Sequence, residues 1–331
     1  MHVGMVGIGR IGSLHAQTLQ ESPLVSRLTV VDADQERAAS TAKRLGAEQA
    51  ESADALIREG VDAVVIAAAT PVHADLLHLA ADARLPAFCE KPIALDLAST
   101  DAVIEHVQKS GTLVQIGFQR RFDAGYRAAR DAFRAGTLGD VHVVRLATHD
   151  PAPPPEAYVA VSGGIWLDLA IHDFDIGSWV LGRSVVEVFA DGVANSAMFE
   201  RHGDVDAACA TLKFEGGILG AVTAMRNDPR GYDVRMELFG LRDSVTVGLD
   251  ARTPLRSLEP GIEAPHKPGY QNFIDRFTPA YRAEIQGFLD AVKGGAESPC
   301  SVLDARRALA VGLAAGRSLS EHRPVRLEEI G

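Results

Sequence analysis

Two kinds of apolar pattern divide this chain. Over roughly the first 120 residues, short unbroken runs (Val3–Val6, Leu28–Asp32, Ala63–Ala67, Pro86–Cys89 and Leu113–Phe118) alternate with stretches of helical periodicity (Ser13–Gln20, Val72–Leu77 and Leu97–Lys109). Runs this short and this continuous read as strands buried on both faces, and their alternation with helices predicts a parallel sheet covered by helices.

Beyond Gln119 the pattern changes. A helix is expected over Ala124–Arg134, ended by Gly136, and a strand over Val141–Thr148, opened by Gly139-Asp140. Four prolines between Pro151 and Pro155 make the next segment an extended, semi-rigid loop. Residues 163–175 read as a helix. The period then becomes two over Val185–Ala194, Ala207–Phe214, Ile218–Ala224, Asp233–Gly240 and Ser244–Val247, with Glu215-Gly216-Gly217 as a hairpin turn. Strands that follow one another without helices imply an antiparallel sheet. Helices are expected over Pro279–Lys293 and Val302–Glu321, with an edge strand in the last residues. We therefore expect an α/β chain of two domains, 1–120 and 121–331. A sheet with helices on one face leaves the other face to be covered, which favours association of copies.

Composition narrows the functions available. Of the 331 residues, 47% are hydrophobic and 23% charged, as in an ordinary globular protein. A net charge of −11 argues against a sequence-independent grip on nucleic acid, which needs clustered Lys and Arg. The cysteines Cys89, Cys209 and Cys300 lie far apart with no C-x-x-C spacing, so neither a disulfide framework nor a structural zinc site is expected. The start of the chain lacks the pattern of a secretory signal, and the run Ala63–Ala69 is too short to cross a bilayer. A cytoplasmic protein bound neither to membrane nor to nucleic acid is the expectation, and a neutral small-molecule substrate is compatible with this charge balance without being implied by it.

The chemistry begins at Gly7-Ile8-Gly9-Arg10-Ile11-Gly12, directly after the first strand. Gly7 permits a tight turn, Gly9 lets a pyrophosphate approach the backbone, and Gly12 allows close packing of helix on strand. Asp32 ends the second strand, placed to bind the adenosine ribose hydroxyls of NAD and to repel the extra phosphate of NADP, with Arg37 nearby. Arg10, Ile11, Thr70, His73, Glu90 and Lys91 complete the expected cofactor contacts. Thr70 is expected to N-cap a helix that has Pro71 in its first turn, and Lys91 of Glu90-Lys91-Pro92 stands at the carboxyl end of a strand, where open α/β sheets bind ligands.

On a continuous helix, Asp168 and His172 share one face, so the carboxylate can orient the imidazole and raise its basicity. A zinc reading of this pair lacks a third ligand. Cys89 falls at a strand end and His149 in a loop, and no metal is expected. Arg120 and Arg121 at the domain junction are candidates for holding a substrate or the junction itself.

Taken together, Gly7-x-Gly9-x-x-Gly12, Asp32, Glu90-Lys91-Pro92 and Gly163-Gly164 followed by Asp168-x-x-x-His172-Asp173 resemble the glucose-fructose oxidoreductase and inositol dehydrogenase family over nearly the whole chain. Phe118–Asp123, Asp150-Pro151-Ala152-Pro153, Gly231-Tyr232-Asp233 and the run Arg276–Glu284 are similar to its myo-inositol-oxidising branch, from which Arg230 and Asn227-Asp228-Pro229 depart. The resemblance implies an N-terminal Rossmann domain with a doubly wound parallel sheet. It also implies a C-terminal α+β domain with a large, mostly antiparallel open sheet, for substrate binding and assembly, usually as a tetramer. The implied reaction is NAD-linked oxidation of a ring hydroxyl of a cyclic polyol, myo-inositol to its 2-keto form. Another inositol isomer or an aldose derivative is the alternative substrate, and a non-catalytic NAD sensor the alternative role. Lys91, Asp168 and His172 would be the catalytic set, and Arg121, His149, Tyr232 and Tyr281 would contact the substrate.

Overall fold

The five apolar runs of the first third form parallel strands, joined by a sixth at one edge. The computed structural model describes residues 1–263, 265 and 267–331. Contacts divide it into two units, Met1–Gln119 with Pro279–Arg306, and Arg120–Thr278 with Arg307–Gly331.

In the first unit the order is β1 (His2–Val6), α1 (Arg10–Glu21), β2 (Arg27–Val31), α2 (Gln35–Leu45), β3 (Glu48–Gln49), α3 (Ala53–Arg58), β4 (Ala63–Ile66), α4 (His73–Asp82), β5 (Ala87–Glu90), α5 (Leu97–Ser110) and β6 (Val114–Gly117). The sheet runs β3-β2-β1-β4-β5-β6 with every pair parallel. This is the doubly wound order whose direction reverses between β1 and β4, the crevice where such sheets bind dinucleotides. Asp34 and Asp96 cap α2 and α5 through their carboxylates, and Gly46 and Gly111 end those helices in the left-handed region. Thr70 does not cap α4. Thr70-Pro71-Val72 forms a separate 3₁₀ turn, and α4 begins only at His73 without a side-chain cap.

The second unit contains α6 (Ala124–Arg134), β7 (Val141–His149), α7 (Glu156–Val159), α8 (Gly164–Asp168), α9 (Ile171–Leu181), β8 (Val185–Val193), α10 (Ala197–Arg201), β9 (Ala207–Phe214), β10 (Leu219–Met225), β11 (Asp233–Gly240) and β12 (Ser244–Val247). After these come α11 (Phe273–Gly294), α12 (Val302–Glu321) and β13 (Val325–Arg326), the first two running across the division between the units. The sheet order is β12-β11-β7-β10-β9-β8-β13. Its strands alternate as the period-two pattern requires. Val144, Leu146, Leu212, Phe214 and Val222 are buried, and Arg145, Thr211, Lys213 and Thr223 face outward. Phe174 of α9 is buried, and Gly177 brings that helix close to Leu146 and Phe214 of the sheet.

Four expectations change here. The sheet is not wholly antiparallel: β7 and β10 pair in parallel, Val143 opposite Leu219 through His149 opposite Met225. His149 is thus the last residue of a strand and not part of a loop. Residues 163–175 are not one helix. The amides of Leu169 and Ala170 both bond to the Ile165 carbonyl, at 3.1 and 2.9 Å, which widens the turn and separates α8 from α9. Asp168 ends one helix, and His172 lies in the first turn of the next. Finally, α11 starts at Phe273 and takes Pro279 into its interior, at the residue where the chain passes into the first unit. There Ile285, Phe288 and Leu289 join Val3, Met5, Val30, Val65 and Phe88 in one core, so the first unit is completed by residues far outside 1–120.

Candidate active site

The first unit presents a nucleotide cradle. Gly7 has φ +91°, and a Cβ there would lie 2.5 Å from the Ala68 amide nitrogen. At Gly12 a Cβ would stand 2.0 Å from the Gly7 carbonyl oxygen, the close helix approach that the fingerprint needs. Nothing lies within 4 Å of a Cβ at Gly9. The N-terminus of α1 has no side-chain cap and no acid in its first turn, and Arg10 beside it is exposed. An open approach to uncapped helix amides suits a pyrophosphate.

Asp32, almost fully buried, ties this loop to β2. One carboxylate oxygen accepts the Ile8 amide at 2.6 Å, and the other accepts the Asp34 amide at 2.8 Å and Arg37 Nη2 at 2.6 Å. Burial pushes this carboxyl up, but Arg37 and the two amides outweigh it and hold it below its ordinary range. A fixed negative charge therefore stands where a ribose hydroxyl would bind, with a half-exposed guanidinium beside it.

The residues after β4 and β5 form a second cluster. Thr70 is half-buried in its 3₁₀ turn, and Ile11 is half-buried on α1. His73 is buried, with Nδ1 2.8 Å from the Pro92 carbonyl and Nε2 3.0 Å from that of Ala68. The ring thus lies between two backbone carbonyls, its N–H donating to one of them in the neutral form, and joins the turn after β4 to the turn that carries Lys91. Burial pulls the imidazole below its ordinary value against the pull of these carbonyls. Glu90 meets Nε2 of the buried His15 at 2.7 Å, and Tyr281 packs edge-on to the same ring at 5.8 Å. Lys91 is half-buried and precedes a cis peptide to Pro92.

In the second unit, buried charges pair in sequence order. Arg120 bonds Asp173 at 2.6 Å and Thr148 at 2.8 Å, and Arg121 holds Asp175 through two nitrogens. Burial pushes the Asp173 carboxyl up even against Arg120. Tyr232 is buried edge-on to Phe277 at 6.3 Å, and its phenol is pushed up by that burial. Arg121, Tyr232 and Tyr281 are thus interior side chains, 5–6% exposed.

Asp168 accepts the Tyr158 hydroxyl on Oδ1 at 2.8 Å, and Arg226 Nη2 lies 2.8 Å from Oδ2. Arg226 also reaches Asp150 at 3.2 Å. The half-buried His172 follows in the first turn of α9. The hairpin of glycines before α8 has a purpose of its own: Gly163 and Gly164 have φ of 82° and 80°, and a Cβ on Gly164 would stand 2.9 Å from Asp204, which caps the Ile165 amide. Arg226 and Tyr158 had no signal in the sequence, since a lone arginine after a strand and a tyrosine after a proline run look like surface residues. Only the fold shows that the arginine is buried.

Among the described residues, His149, Asp228 and Asp233 make the one group of three metal-type ligands, within 4.8 Å of one another. Arg235 bonds both oxygens of Asp233, at 2.8 and 3.0 Å, so a guanidinium already supplies the positive charge that a metal would bring. His149 Nε2 meets the Thr223 hydroxyl at 3.1 Å.

A doubly wound unit with an uncapped glycine turn and an acid at the end of β2, followed by an open-sheet unit holding a carboxylate and an imidazole at a helix junction, defines a nicotinamide-dependent oxidoreductase. Residues 1–118 match the oxidoreductase family model with an NAD-binding Rossmann fold, and residues 126–246 match the GFO/IDH/MocA C-terminal domain. The chain belongs to the GFO/IDH/MocA family of oxidoreductases, and its cofactor is NAD. It is 37% identical to a myo-inositol 2-dehydrogenase of Thermotoga maritima, covering 100% of this chain and 99% of that one, and 34% identical to a scyllo-inositol 2-dehydrogenase (NAD(+)) of Bacillus subtilis, covering 98% and 95%. Among solved structures, a myo-inositol dehydrogenase from Corynebacterium glutamicum superposes with a TM-score of 0.91 at 31% identity, covering 99% of this chain and 98% of that chain. A scyllo-inositol dehydrogenase from Lactobacillus casei with bound NAD(H) and scyllo-inositol gives 0.89 at 25%, covering 99% of each.

Two outcomes follow from this geometry. Asp32→Ser removes the charge that repels a 2′-phosphate and frees Arg37 to meet it, so kcat/KM for NADP relative to NAD should rise by about tenfold or more, worth about 1.4 kcal/mol or more. Initial rates with the two cofactors measure this. His73 has a folded pKa below its unfolded value of about 6.5, so its contribution is complete above that pH and lost as pH falls below it, by at most about 1.4 kcal/mol per pH unit. Urea unfolding should therefore show the stability gap between the native chain and His73→Gln narrowing between about pH 7.5 and about pH 5.

Proposed function

We propose that the protein oxidises a secondary ring hydroxyl of an inositol, myo-inositol to its 2-keto form, with NAD as oxidant. What carries the reading is the likeness over the whole chain to relatives named for that reaction, to which the environment of Asp168 and His172 adds chemical sense.

Bound NAD supplies the acceptor for the hydrogen that leaves carbon with its electron pair. The chain must then remove the hydroxyl proton, hold the oxygen as charge develops, and keep the ring in register. His172 is the proton acceptor, because imidazole titrates near neutrality while Asp168 is held by two donors and is a poor base. Lys91 donates a hydrogen bond to the same oxygen and stabilises developing alkoxide. Asp168 supplies the fixed negative charge that offsets the proton gained by His172. His149, at the end of β7, is the polyol contact we favour. The second unit holds the substrate-binding and assembly functions, and the first, with its added segment Pro279–Arg306, the nucleotide function.

We further propose a cytoplasmic tetramer assembled through the outward face of the seven-stranded sheet. Phe189, Val193 and Leu219 on that face are exposed, which an isolated chain would leave to water. Among the described residues, no helix is long and apolar enough to cross a membrane.

His172→Ala should lower kcat by about 10²- to 10⁴-fold with NAD affinity unchanged, read by stopped-time NADH absorbance and by cofactor titration; an unchanged kcat would remove the assignment. NADH formation across myo-, scyllo- and other inositols and aldoses should be greatest with myo-inositol, and turnover of aldoses alone would overturn the substrate. Light scattering should give four times the 35.2 kDa chain mass, and a monomer at micromolar concentration would refute the assembly.

A further inference from the structure

We propose that Arg226, itself shared with Asp150, is the positioning residue of the proton-transfer site, holding Asp168 as a carboxylate between its guanidinium and the Tyr158 hydroxyl; this rests on the reading of Asp168 and His172 given above. The parallel pairing of β7 with β10 creates the clamp. It sets His149 beside Met225, so the next residues, Asp150 and Arg226, emerge at the same end of adjacent strands. Backbone bonds pin both: the Asp150 amide donates to the Met225 carbonyl at 2.8 Å, and the Arg226 amide to that of Asp206 at 2.8 Å.

Arg226 is 3% exposed, and a guanidinium that deep in the protein is costly unless its charge is met. Nη1 lies 3.2 Å from Asp150 Oδ2, and Nη2 lies 2.8 Å from Asp168 Oδ2. Burial draws the guanidinium down, but Asp168 and Asp150 more than offset this and leave it above its ordinary value. One planar fork reaching two carboxylates is a geometry that an ammonium cannot copy. The Tyr158 hydroxyl takes the remaining oxygen of Asp168. The titratable groups that meet the Arg226–Asp168 pair include Asp150 beyond β7 and Tyr158 of α7, and His172 follows Asp168 by four residues in the first turn of α9. Asp228, whose amide donates to the Asp150 carbonyl at 2.7 Å, and His149 stand behind Asp150.

With both oxygens engaged, Asp168 is a fixed anion. The proton from substrate is thereby directed to His172, and the reaction depends on Arg226 without Arg226 touching the reacting atoms. Removing the guanidinium leaves two carboxylates facing each other, which favours protonated Asp168.

The test is steady-state kinetics of Arg226→Met and Arg226→Lys with NAD and myo-inositol, or with scyllo-inositol if that is the isomer turned over. Arg226→Met should lose about 10²-fold in kcat, with KM for NAD unchanged. The acid limb of its kcat profile should move to higher pH by about one unit. Arg226→Lys should recover part of kcat and part of the limb position. A folded Arg226→Met with kcat within about twofold of the native chain, or with kcat lost but the acid limb unmoved, overturns the proposal, the second result being that of a merely structural residue. If Arg226→Met fails to fold, Arg226→Lys decides: a reduced kcat with a raised acid limb supports the clamp, and native kinetics refute it. Asp168→Asn separates the two readings. Native kcat in that variant sinks the proton-transfer site itself, whereas an impaired Asp168→Asn beside native Arg226 variants sinks only the clamp.

Discussion

Buried carboxylates need buried cations, and the second unit is organised around that constraint. Asp168, Asp173 and Asp175 stand in or beside the α8–α9 junction, each with an arginine brought from elsewhere in the chain: Arg226 from the end of β10, and Arg120 and Arg121 from the start of the unit. Replacing such pairs by apolar residues would cost little stability, but losing one partner alone costs about 3–5 kcal/mol. The pairs therefore act less as glue than as a rule of placement. They oblige the helix junction, the sheet ends and the entry segment to keep one mutual arrangement, and the half-buried His172 is carried within it.

The first unit solves the opposite problem. Its ligand brings the charge, so the protein supplies open amides and an absence of side chains. Gly9 leaves space, Gly12 lets α1 settle against the turn, and nothing acidic occupies the first turn of α1. The one fixed anion nearby, Asp32, is tied by two amides and Arg37, so it presents a set charge to the ribose and not a mobile one.

Much of this was legible in the residues because it rests on local periodicity. The glycine fingerprint between an apolar strand and a helix, and the period-two runs that became β9, β11 and β12 with the expected bounds, needed no tertiary information. What the sequence hides is set by partners distant along the chain. The two-residue edge strand β3 is polar and exposed, and it exists only because β2 offers it a ladder. The parallel pairing of β7 with β10 is invisible to a period-two pattern, which is the same for either direction. The break at Leu169-Ala170 follows from two amides sharing one carbonyl, in a run whose composition would suit an unbroken helix. Arg226 is hidden for the same reason: its role depends on Asp150 and Asp168, which lie far upstream.

One feature of the fold bears on how the chain is made. The core around Val3, Met5 and Phe88 includes Ile285, Phe288 and Leu289, and the buried Gln115 side chain bonds the Glu284 carbonyl at 3.1 Å. A nascent chain emerging from the ribosome carries all six strands of the nucleotide sheet long before those residues exist. Domains fold during synthesis from the N-terminus onward, but this one must wait, one apolar face incomplete, while six of the seven strands of the second sheet are translated. The first unit to be synthesised is thus among the last to be finished, its apolar core open until α11 has been made.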